Sequence, residues 1–474
     1  MTGALLYEQL ADDLAGAIRK GSLRPGDRMP SVRGLATQRK VAVATVLQAY
    51  VRLEDDGFIE VRPRSGHFVK SRPTTRVEEP RAPRRNLSPA TVSVTPGVRA
   101  LMESMRDPHV VPLGAAQVSP TLLPIRQLNR RLAAIARELQ DVGASYGDTT
   151  GVLTLRRQLA RRSVDWGLSL HESELVITVG AMEALHLALR AVAKPGDAVA
   201  VESPTYFGVL QAVEQLGLKA IEVPSRPRQG LDLDALGEVL KSGPVKAVVA
   251  APNVSNPGGA VMSDEDKERL VRLCARFDVP LIEDDVYGDL AWEGRPRSAL
   301  SWDRDGHVLH IGSVSKTLAP GYRIGWIVGG RYQERIERLK YALTVSTPPL
   351  LQMAVAEFLA SGGYDRHLRR LRRQLQAQVE RTRAAVAHSF PAGTRISAPA
   401  GGFVLWVELP PGVDAYTLQT RALERGISIA PGPIFSPRER YTNHIRLSCG
   451  FPWSDRTAQA IATVGTLAAA LARR

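Results

Sequence analysis

Apolar residues near the start of the chain recur at helical spacing. They stand four residues apart, at Leu6, Leu10, Leu14 and Ile18. This spacing places them on one face and predicts an amphipathic helix over residues 5–20. The stretch RPGDRMP predicts a turn, after which Ser31 is placed to cap a short helix over SVRGLATQR. A third helix is predicted from Val43 to Asp56, and Gly57 ends it.

Polar and apolar residues alternate in the segment that follows, FIEVRPRSGHFVK. Alternation of this kind predicts strands, and the turn PRSG between them predicts a small hairpin with an arginine at its tip. Three helices followed by a hairpin form a winged helix-turn-helix. We expect this domain over residues 1–70.

The composition then changes. Residues 71–92, SRPTTRVEEPRAPRRNLSPATV, are rich in Pro, Arg, Ser and Thr and lack apolar periodicity, which predicts a solvated linker. Beyond residue 93, short apolar runs alternate with helical patterns; the runs are ELVITVG, AVAVES, VKAVVAAPN, VPLIEDD and HVLHIGS. Nearly continuous apolar strands separated by helices predict a mostly parallel sheet covered on both faces. The chain is therefore expected to be multidomain, with a second, α/β domain over residues 93–474.

The bulk composition is that of a globular protein, with 474 residues of which 44% are apolar and 5% aromatic. A net charge of +14 favours contact with polyanions, but the charge is spread along the chain. Cys274 and Cys449 stand far apart without a CxxC pair or a histidine cluster, so neither a disulfide framework nor a metal site is predicted. The chain shows no secretion signal and no apolar run of membrane-spanning length, so we expect a cytoplasmic protein.

A single lysine, Lys316, stands among hydroxyls, glycines and an arginine in the segment IGSVSKTLAPGYRIGW. The sequence GSVSKT lacks the glycine that directly precedes the lysine of a Walker A loop, so a nucleoside triphosphate site is rejected. Taken alone, a lysine after a strand is a surface residue. Other polar residues at strand ends point to a chemical role.

Chemistry with pyridoxal 5'-phosphate (PLP) requires an amine for the aldehyde, an acid for the pyridine nitrogen and donors for the phosphate. Lys316 is the candidate amine. Asp284 ends an apolar strand, where ligands of open α/β sheets bind, and Tyr287 and Asn256 stand close to strand ends as well. Tyr206 offers a ring to stack on the pyridine. Each residue alone has a structural explanation as a cap, turn or packing residue, but their joint occurrence favours a PLP site.

Phosphate donors are predicted at two places. Ser313, Ser315 and Arg323 flank the lysine and offer hydroxyls and a charged fork. The turn VGAMEAL begins a helix, so the backbone amides of Ala181 and Met182 can meet the same phosphate with the helix dipole.

Residues 5–70 resemble the DNA-binding head of GntR-type bacterial regulators, through LRPGDRMPSVRGLA and AYVRLEDDGFIEVRPRSGHFV. The resemblance implies DNA contacts from the second helix, the recognition helix and the wing, at Arg33, Thr45, Arg64, Ser65 and Gly66. The recognition helix begins KVAVATV, and its Ala and Val side chains can touch thymine methyls but cannot pair with guanine. The alternative is a helical module kept for packing or dimer contacts.

Residues 93–474 are similar to fold-type I aminotransferases of the aspartate aminotransferase superfamily, through SVSKTLAPGYRIGW, SNPGG, EDDVY, SPTY and HIRLSCG. The likeness implies that Lys316 forms the Schiff base with PLP, that Asp284 holds the pyridine nitrogen, and that Asn256 and Tyr287 bond the ring hydroxyl. It further implies that Arg446 binds the substrate carboxylate. Tyr146 would reach the phosphate of a neighbouring subunit, which implies a homodimer.

A GntR head joined to an aminotransferase-like body is the layout of the MocR subfamily, which this chain resembles from end to end. The resemblance implies a transcription regulator that binds promoter half-sites of double-stranded DNA and senses PLP, or an amino acid or amine, through Lys316. The alternative is a working aminotransferase with a vestigial or tethering head, and a protein that does both is a third possibility. The basic run DRHLRRLRRQL is interpreted as a solvated helix face, with a DNA-facing role as its alternative.

Overall fold

The computed structural model describes residues 6–19, 22–24, 26–55, 58–62, 65–69, 78–243 and 245–473. The chain divides into two compact units, residues 1–76 and 77–474. Each unit has its own core, as the composition of the chain predicts.

The first unit contains the three helices and the hairpin that the sequence predicts. These elements are α1 Leu6–Arg19, α2 Val32–Arg39, α3 Val43–Asp55, β1 Ile59–Arg62 and β2 Gly66–Val69. The strands pair antiparallel. Ser31 caps α2, because its Oγ accepts a hydrogen bond from Gly34 N at 3.1 Å. The expected winged helix-turn-helix is confirmed.

A small apolar core holds the first unit together. Leu10 and Leu14 of α1 and Val46 and Leu53 of α3 are buried within it, and β2 contributes Val69. The buried positions Leu10 and Leu14 follow the four-residue spacing in the sequence, whereas Leu6 on the same predicted face is 55% exposed. The core therefore ties the helices and the hairpin into one unit.

The second unit is larger and mixes helices with strands. Its helices are α4 Thr95–Ser104, α5 Ile125–Glu138, α6 Leu153–Arg162, α7 Gly180–Val192, α8 Phe207–Gln215, α9 Leu233–Ser242, α10 Asp264–Arg276, α11 Gln333–Thr344, α12 Pro349–Ala360, α13 Gly363–Ser389, α14 Ala415–Leu423 and α15 Asp455–Ala472. Its strands are β3 Ala90–Thr91, β4 Val111–Pro112, β5 Leu175–Val179, β6 Ala198–Ser203, β7 Lys219–Arg226, β8 Gly230–Leu231, β9 Val245–Ala250, β10 Leu281–Asp284, β11 Val308–Ser313, β12 Ile324–Val328, β13 Arg395–Ile396, β14 Val404–Glu408, β15 Ile427–Ser428, β16 Ala430–Pro431 and β17 His444–Ser448.

The main sheet has the strand order β3-β7-β6-β9-β10-β11-β12-β5. Strands β7, β6, β9, β10 and β11 run parallel, whereas β12 pairs antiparallel with both β11 and β5. Alternate residues of β6 enter different cores: Val199 and Val201 pack in one apolar cluster and Ala200 in another. Both faces of the sheet are therefore covered, which confirms the predicted α/β fold.

A second, smaller sheet was not predicted. Its order is β13-β14-β17-β16, and all of its pairings are antiparallel. Two of these strands have only two residues each, and such short segments carry too little periodicity to be recognised in a sequence. This sheet matters for the site because Arg446 lies on β17.

Residues 78–91, here called the strap, lie within the segment that composition assigns to a linker. They are extended but not free, since they are bonded to the second unit at many points. The bonds join Glu78 with Arg395, Glu79 with Arg228, Arg81 with Glu408, Arg84 with Arg440, Arg85 with Asp232 and Glu238, and Ser88 with Arg438. The strap ends in β3, which pairs with β7. Charged residues that the composition assigns to a solvated linker therefore bind the strap to the second unit. The boundaries of the linker, residues 71–92, stay a prediction.

No helix within the described ranges is long and apolar enough to cross a membrane. Cys274 and Cys449 are both buried and unpaired, as their spacing suggests.

Truncating the core of the first unit should destabilise that unit alone. Leu53 is 1% exposed, so Leu53→Ala removes a buried side chain and should cost roughly 2–5 kcal/mol of unfolding free energy. All six tryptophans lie in the second unit, so far-UV circular dichroism in urea reports both units and tryptophan fluorescence reports only the second. We expect an earlier dichroism transition with unchanged fluorescence.

The matched control is Val51→Ala on the same helix, because Val51 is 56% exposed. It should change stability by no more than about 0.5 kcal/mol. Equal losses in the two variants would show that the core described above is not what stabilises the unit.

Candidate functional site

A cavity of about 150 Å³ opens at the carboxyl ends of the parallel strands. Ligands of open α/β sheets bind at this edge. The cavity brings together predicted site residues from distant parts of the chain, namely Ala181, Met182, Tyr206, Asn256, Asp284, Tyr287, Ser313, Ser315, Lys316 and Arg323. Strand ends that are far apart in the sequence therefore converge on one pocket.

Lys316 follows β11 and is half-buried in this pocket. Its Nζ donates to the carbonyl oxygen of Ala116 at 2.6 Å and lies 5.7 Å from the centre of the Tyr287 ring. Desolvation and, after it, the cations Arg446 and Arg323 lower the pKa of the Lys316 amine to about 8, with Asp284 opposing them. The fraction of this amine that is neutral, and nucleophilic, near neutral pH is therefore larger than that of an exposed lysine.

Asp284 is the last residue of β10. It accepts a hydrogen bond from Val286 N at 3.3 Å. Burial, with a contribution from the neighbouring Asp285, raises the pKa of the Asp284 carboxyl to about 6, against the opposing effects of the Val286 hydrogen bond and Lys316. Asp284 thus faces the pocket as a carboxylate without a strong ion pair, which suits it to hold a protonated ring nitrogen.

The residues on either side of Asp284 are held by a buried polar network. Glu283 accepts from Ser298 Oγ at 2.5 Å and lies 3.1 Å from Nδ1 of His310, while Asp285 pairs with Arg295. Every charge in this group has a partner, as buried charges require. The network fixes the end of β10 and with it the position of Asp284.

The predicted phosphate donors lie together at one end of the pocket. Ser313 Oγ donates to Ser315 Oγ at 2.9 Å, and a guanidinium nitrogen of Arg323 lies 3.3 Å from Ser315 Oγ. Gly180 begins α7 at φ +74°, and a Cβ there would lie 2.2 Å from Nη2 of Arg323. Only glycine therefore lets the helix N-terminus, with the amides of Ala181 and Met182, come this close to the arginine.

Arg446 is fully buried, at 0% exposed. Its guanidinium donates to Asn256 Oδ1 at 3.2 Å and to Gly114 O at 2.6 Å, and it lies 5.1 Å from the centre of the Phe435 ring. No acidic side chain among the described residues pairs with it, and its Nε has no hydrogen-bond partner there. Desolvation lowers the pKa of Arg446. A buried guanidinium in this state is a receptor for an anion.

Two tyrosines contribute the remaining pocket wall. The hydroxyl of Tyr287 is buried without a hydrogen-bond partner among the residues that the structure describes, and burial raises the pKa of this phenol. Tyr206 packs beside Phe207 with ring centroids 4.7 Å apart and presents its ring to the pocket. An orphaned hydroxyl and a flat aromatic face fit a planar ligand that carries an acceptor.

Tyr146 does not line the pocket. Its side chain is 89% exposed. The expectation that it reaches a neighbouring subunit stays a prediction.

The first unit carries the predicted DNA-contacting residues. Arg33 is exposed in the first turn of α2, Thr45 is half-buried in α3, and Ser65 lies directly before β2, whose first residue, Gly66, has φ +102°. Arg64 lies outside the described residues. The recognition helix also exposes apolar side chains at four-residue spacing, namely Val43, Leu47 and Val51.

Glu202 is a pocket residue that sequence reasoning missed. It is 3% exposed, and its Oε1 has no hydrogen-bond partner in the described chain. Burial raises the pKa of Glu202 to about 8, so the carboxyl is largely neutral at pH 7. The sequence contains one signal that could have identified Glu202: it is an acid within the otherwise apolar run AVAVES, near the end of a strand.

Comparison with known families accounts for both units. Residues 6–69 match the bacterial regulatory proteins of the gntR family, and residues 111–459 match the aminotransferase class I and II family. The chain therefore belongs to the aminotransferase class I and II family and carries a gntR-family head, the combination that characterises the MocR subfamily of regulators.

Relatives share this layout over nearly their whole length. The uncharacterized HTH-type transcriptional regulators YdcR and YjiR of Escherichia coli are 40% and 37% identical, each over 97% of this chain and 98% of the relative. The 2-aminoadipate transaminase of Thermus thermophilus is 31% identical over 74% of this chain and 88% of its own.

Solved aminotransferase structures superpose on the second unit. The α-aminoadipate aminotransferase LysN of Thermus thermophilus, complexed with N-(5'-phosphopyridoxyl)-L-leucine, matches with a TM-score of 0.73 at 29% identity, over 79% of this chain and 95% of that chain. The kynurenine aminotransferase of Pyrococcus horikoshii matches with a TM-score of 0.74 at 28% identity, over 79% and 94% of the two chains.

The lowered pKa of Lys316 predicts an unusual labelling profile. With formaldehyde and cyanoborohydride, methylation of Lys316 should rise to a plateau with a midpoint near pH 8, whereas an exposed lysine with the ordinary pKa of about 10.4 keeps gaining reactivity. Peptide mass spectrometry over pH 6–10 measures this profile.

Asp284→Asn tests the direction in which Asp284 shifts the pKa of Lys316. Asp284→Asn removes the carboxylate that raises the pKa of Lys316, so the midpoint should move below that of the parent protein. A midpoint near pH 10, or an upward shift in the variant, would contradict the account of the pocket.

Proposed function

We propose that the protein is a PLP-binding, DNA-binding transcription regulator whose aminotransferase-like unit senses PLP or an amino compound at Lys316. The observation that carries this proposal is a pocket that brings together the amine of Lys316, whose pKa is lowered, and the carboxyl of Asp284. The buried Arg446 contacts this pocket through Asn256, and no acidic side chain among the described residues pairs with it. The same chain carries a gntR-family head, and its relatives of equal length are named as transcriptional regulators.

The residues present fit PLP. The phosphate requires donors, which Ser313, Ser315 and Arg323 offer at one end of the cavity. The ring hydroxyl requires a partner, and the orphaned hydroxyl of Tyr287 is available for it. Asp284 is placed for the pyridine nitrogen. A Cβ on Gly180 would collide with Arg323, one of these phosphate donors. The pocket therefore offers a polar partner for the phosphate, the ring hydroxyl and the pyridine nitrogen of the cofactor.

When bound, PLP supplies an aldehyde carbon that bonds to an amine and can exchange from the protein's lysine to a ligand's amine. The chain's own residues prepare this exchange. Lys316 is neutral in a larger fraction than an exposed lysine, because desolvation and nearby cations disfavour its protonated form. Asp284, whose pKa of about 6 leaves it largely ionised at pH 7, would hold the protonated ring nitrogen. Tyr206 would offer its ring to stack on the pyridine.

Arg446 defines the class of amino ligand. A buried guanidinium without an acidic partner binds a carboxylate with little further desolvation cost, because the protein has already removed its water. A ligand with an amine for the cofactor and a carboxylate for Arg446 is an amino acid. PLP alone remains the other effector that this pocket accommodates.

DNA binding and assembly complete the proposal. The first unit is a gntR-family winged helix, whose exposed Arg33 and wing turn suit contacts to phosphates. Exposed Tyr146 supports a homodimer in which it reaches the partner's phosphate site. Two heads then engage two half-sites. A ligand can regulate them only if it binds two conformations of the body with different affinity.

The direct test is fluorescence anisotropy of the full-length protein on its own upstream DNA and on scrambled DNA of equal length, with and without PLP and amino acids. We expect sequence-selective binding that PLP or an amino acid alters. Lys316→Ala should abolish both this response and the trapping of PLP on the lysine by borohydride. Lys241→Ala, which removes an exposed lysine, is the control.

Two results would overturn the proposal. A normal effector response in Lys316→Ala would exclude the lysine as the sensing group. Equal binding to every promoter tiled, together with sustained release of keto acid from an amino donor, would establish a working aminotransferase with an idle head.

Salt dependence tests the role of Arg33. Removing one contact between a basic side chain and a DNA phosphate lowers the magnitude of the slope of log K against log salt concentration by about 1. Arg33→Gln removes one such contact from each of the two heads, so it should weaken binding on all sequences and reduce the magnitude of the slope by about 2. Arg161→Gln removes an exposed charge of the second unit and should leave the slope unchanged. An unchanged slope in Arg33→Gln would remove Arg33 from the interface.

A further inference from the structure

Glu222 is a buried carboxylate outside the pocket that the proposed chemistry does not use. It lies on β7 and is 1% exposed. Its Oε1 accepts hydrogen bonds from Ser203 Oγ at 2.7 Å and from Ser436 Oγ at 2.8 Å. Its Oε2 faces the guanidinium nitrogens Nε of Arg438 at 3.7 Å and of Arg440 at 3.5 Å. One carboxylate therefore joins two hydroxyls to two arginines.

The hydroxyl side of this cluster leads to the pocket. Ser203 ends β6, directly before the loop in which Thr205 and Tyr206 line the cavity. Thr205 N donates to Phe435 O at 3.1 Å, beside Ser436. Ser203 Oγ also lies 2.8 Å from the hydroxyl of Tyr441. The loop that presents Tyr206 is thus held by residues next to Ser203 and Ser436, the two residues that donate to Glu222.

The arginine side leads to the strap. Arg438 donates to Ser88 O and to Ser88 Oγ, both at 2.7 Å, and Arg440 donates to Arg84 O at 2.8 Å. Both arginines therefore bind residues 84–88 while they face Glu222. The strap is the part of the described chain through which the second unit connects, along the sequence, to the first unit.

The strap is also anchored on both sheets of the second unit. Arg85 pairs with Glu238 of α9 at 2.7 Å, on the side of the main sheet. Arg81 N donates to Glu408 Oε2 at 2.8 Å, at the end of β14 in the small sheet. A shift of one sheet against the other would change these anchors together.

We propose that Glu222 is a positioning residue that couples the pocket to the strap. It holds the loop of Tyr206 and the two strap-binding arginines in one arrangement, so that occupancy of the pocket alters how firmly residues 78–91 are bound. The inference rests on the proposed function, because it takes PLP as the ligand of the pocket. Coupling of this kind requires an element whose state both sites bias, and the strap is that element.

Hydrogen exchange of the full-length protein, measured by mass spectrometry with and without saturating PLP, tests the proposal. In the parent protein, PLP should slow exchange in peptides that cover residues 78–91. Glu222→Gln keeps an acceptor for the two serines but removes the charge that holds the arginines. Exchange in the strap should become at least about tenfold faster and insensitive to PLP, because the buried charge that faces both strap-binding arginines has been lost.

Binding of PLP is followed in parallel by absorbance, and Glu222→Gln should still reach saturation because Glu222 is not among the residues that line the pocket. Because coupling is reciprocal, its affinity for PLP should fall by the same factor by which PLP slows strap exchange in the parent protein. Glu238→Gln is the matched control: it loosens the strap at Arg85 without touching the pocket loop, so its strap should still respond to PLP. Arg440→Gln, at a partly exposed arginine, should reproduce the loss of response if Glu222→Gln does not fold.

The outcomes separate the two proposals. If the parent protein shows no PLP absorbance, the proposed function fails. If PLP binds but leaves the strap unchanged, or if Glu222→Gln and Arg440→Gln retain the PLP response, the coupling is wrong and the proposed function stands.

Discussion

A buried guanidinium that no acidic side chain among the described residues pairs with is the constraint on which the pocket depends. Burying a charge is costly, and in the described part of the chain Arg446 is held by an amide oxygen, a carbonyl and aromatic rings. Its positive charge, added to desolvation, lowers the pKa of Lys316. The candidate carboxylate-binding arginine and the candidate amine are therefore parts of one electrostatic arrangement.

The main sheet supplies the geometry for this arrangement. Parallel strands that end at one edge bring Asp284, the loop of Tyr206 and the segment after β11 to the same place. A buried network around Glu283 and Asp285 fixes the strand end that carries Asp284. The polar pocket can hold its charges close together because the surrounding core is apolar and rigid.

Regulation requires that this rigid site communicate with a separate unit. Within the second unit, the strap is the segment nearest in sequence to the head, and it is held by side chains rather than by a long strand. Ion pairs at a surface are individually weak, so a set of them can release or tighten in response to small shifts. Glu222 differs from the others because it contacts Ser203, directly before the pocket loop, and also faces Arg438 and Arg440, which bind the strap.

The sequence by itself determined the order of the two domains, the helices and hairpin of the first, and the parallel strands of the second. Local periodicity and capping residues such as Ser31 encode these elements within a few residues of each other. Strand-end residues such as Lys316 and Asp284 were identified because their types match one chemistry. Only the tertiary structure decided that Arg446 meets Asn256, that Glu202 lines the pocket and that the strap is anchored, because these contacts join residues far apart in the sequence, which no local pattern records.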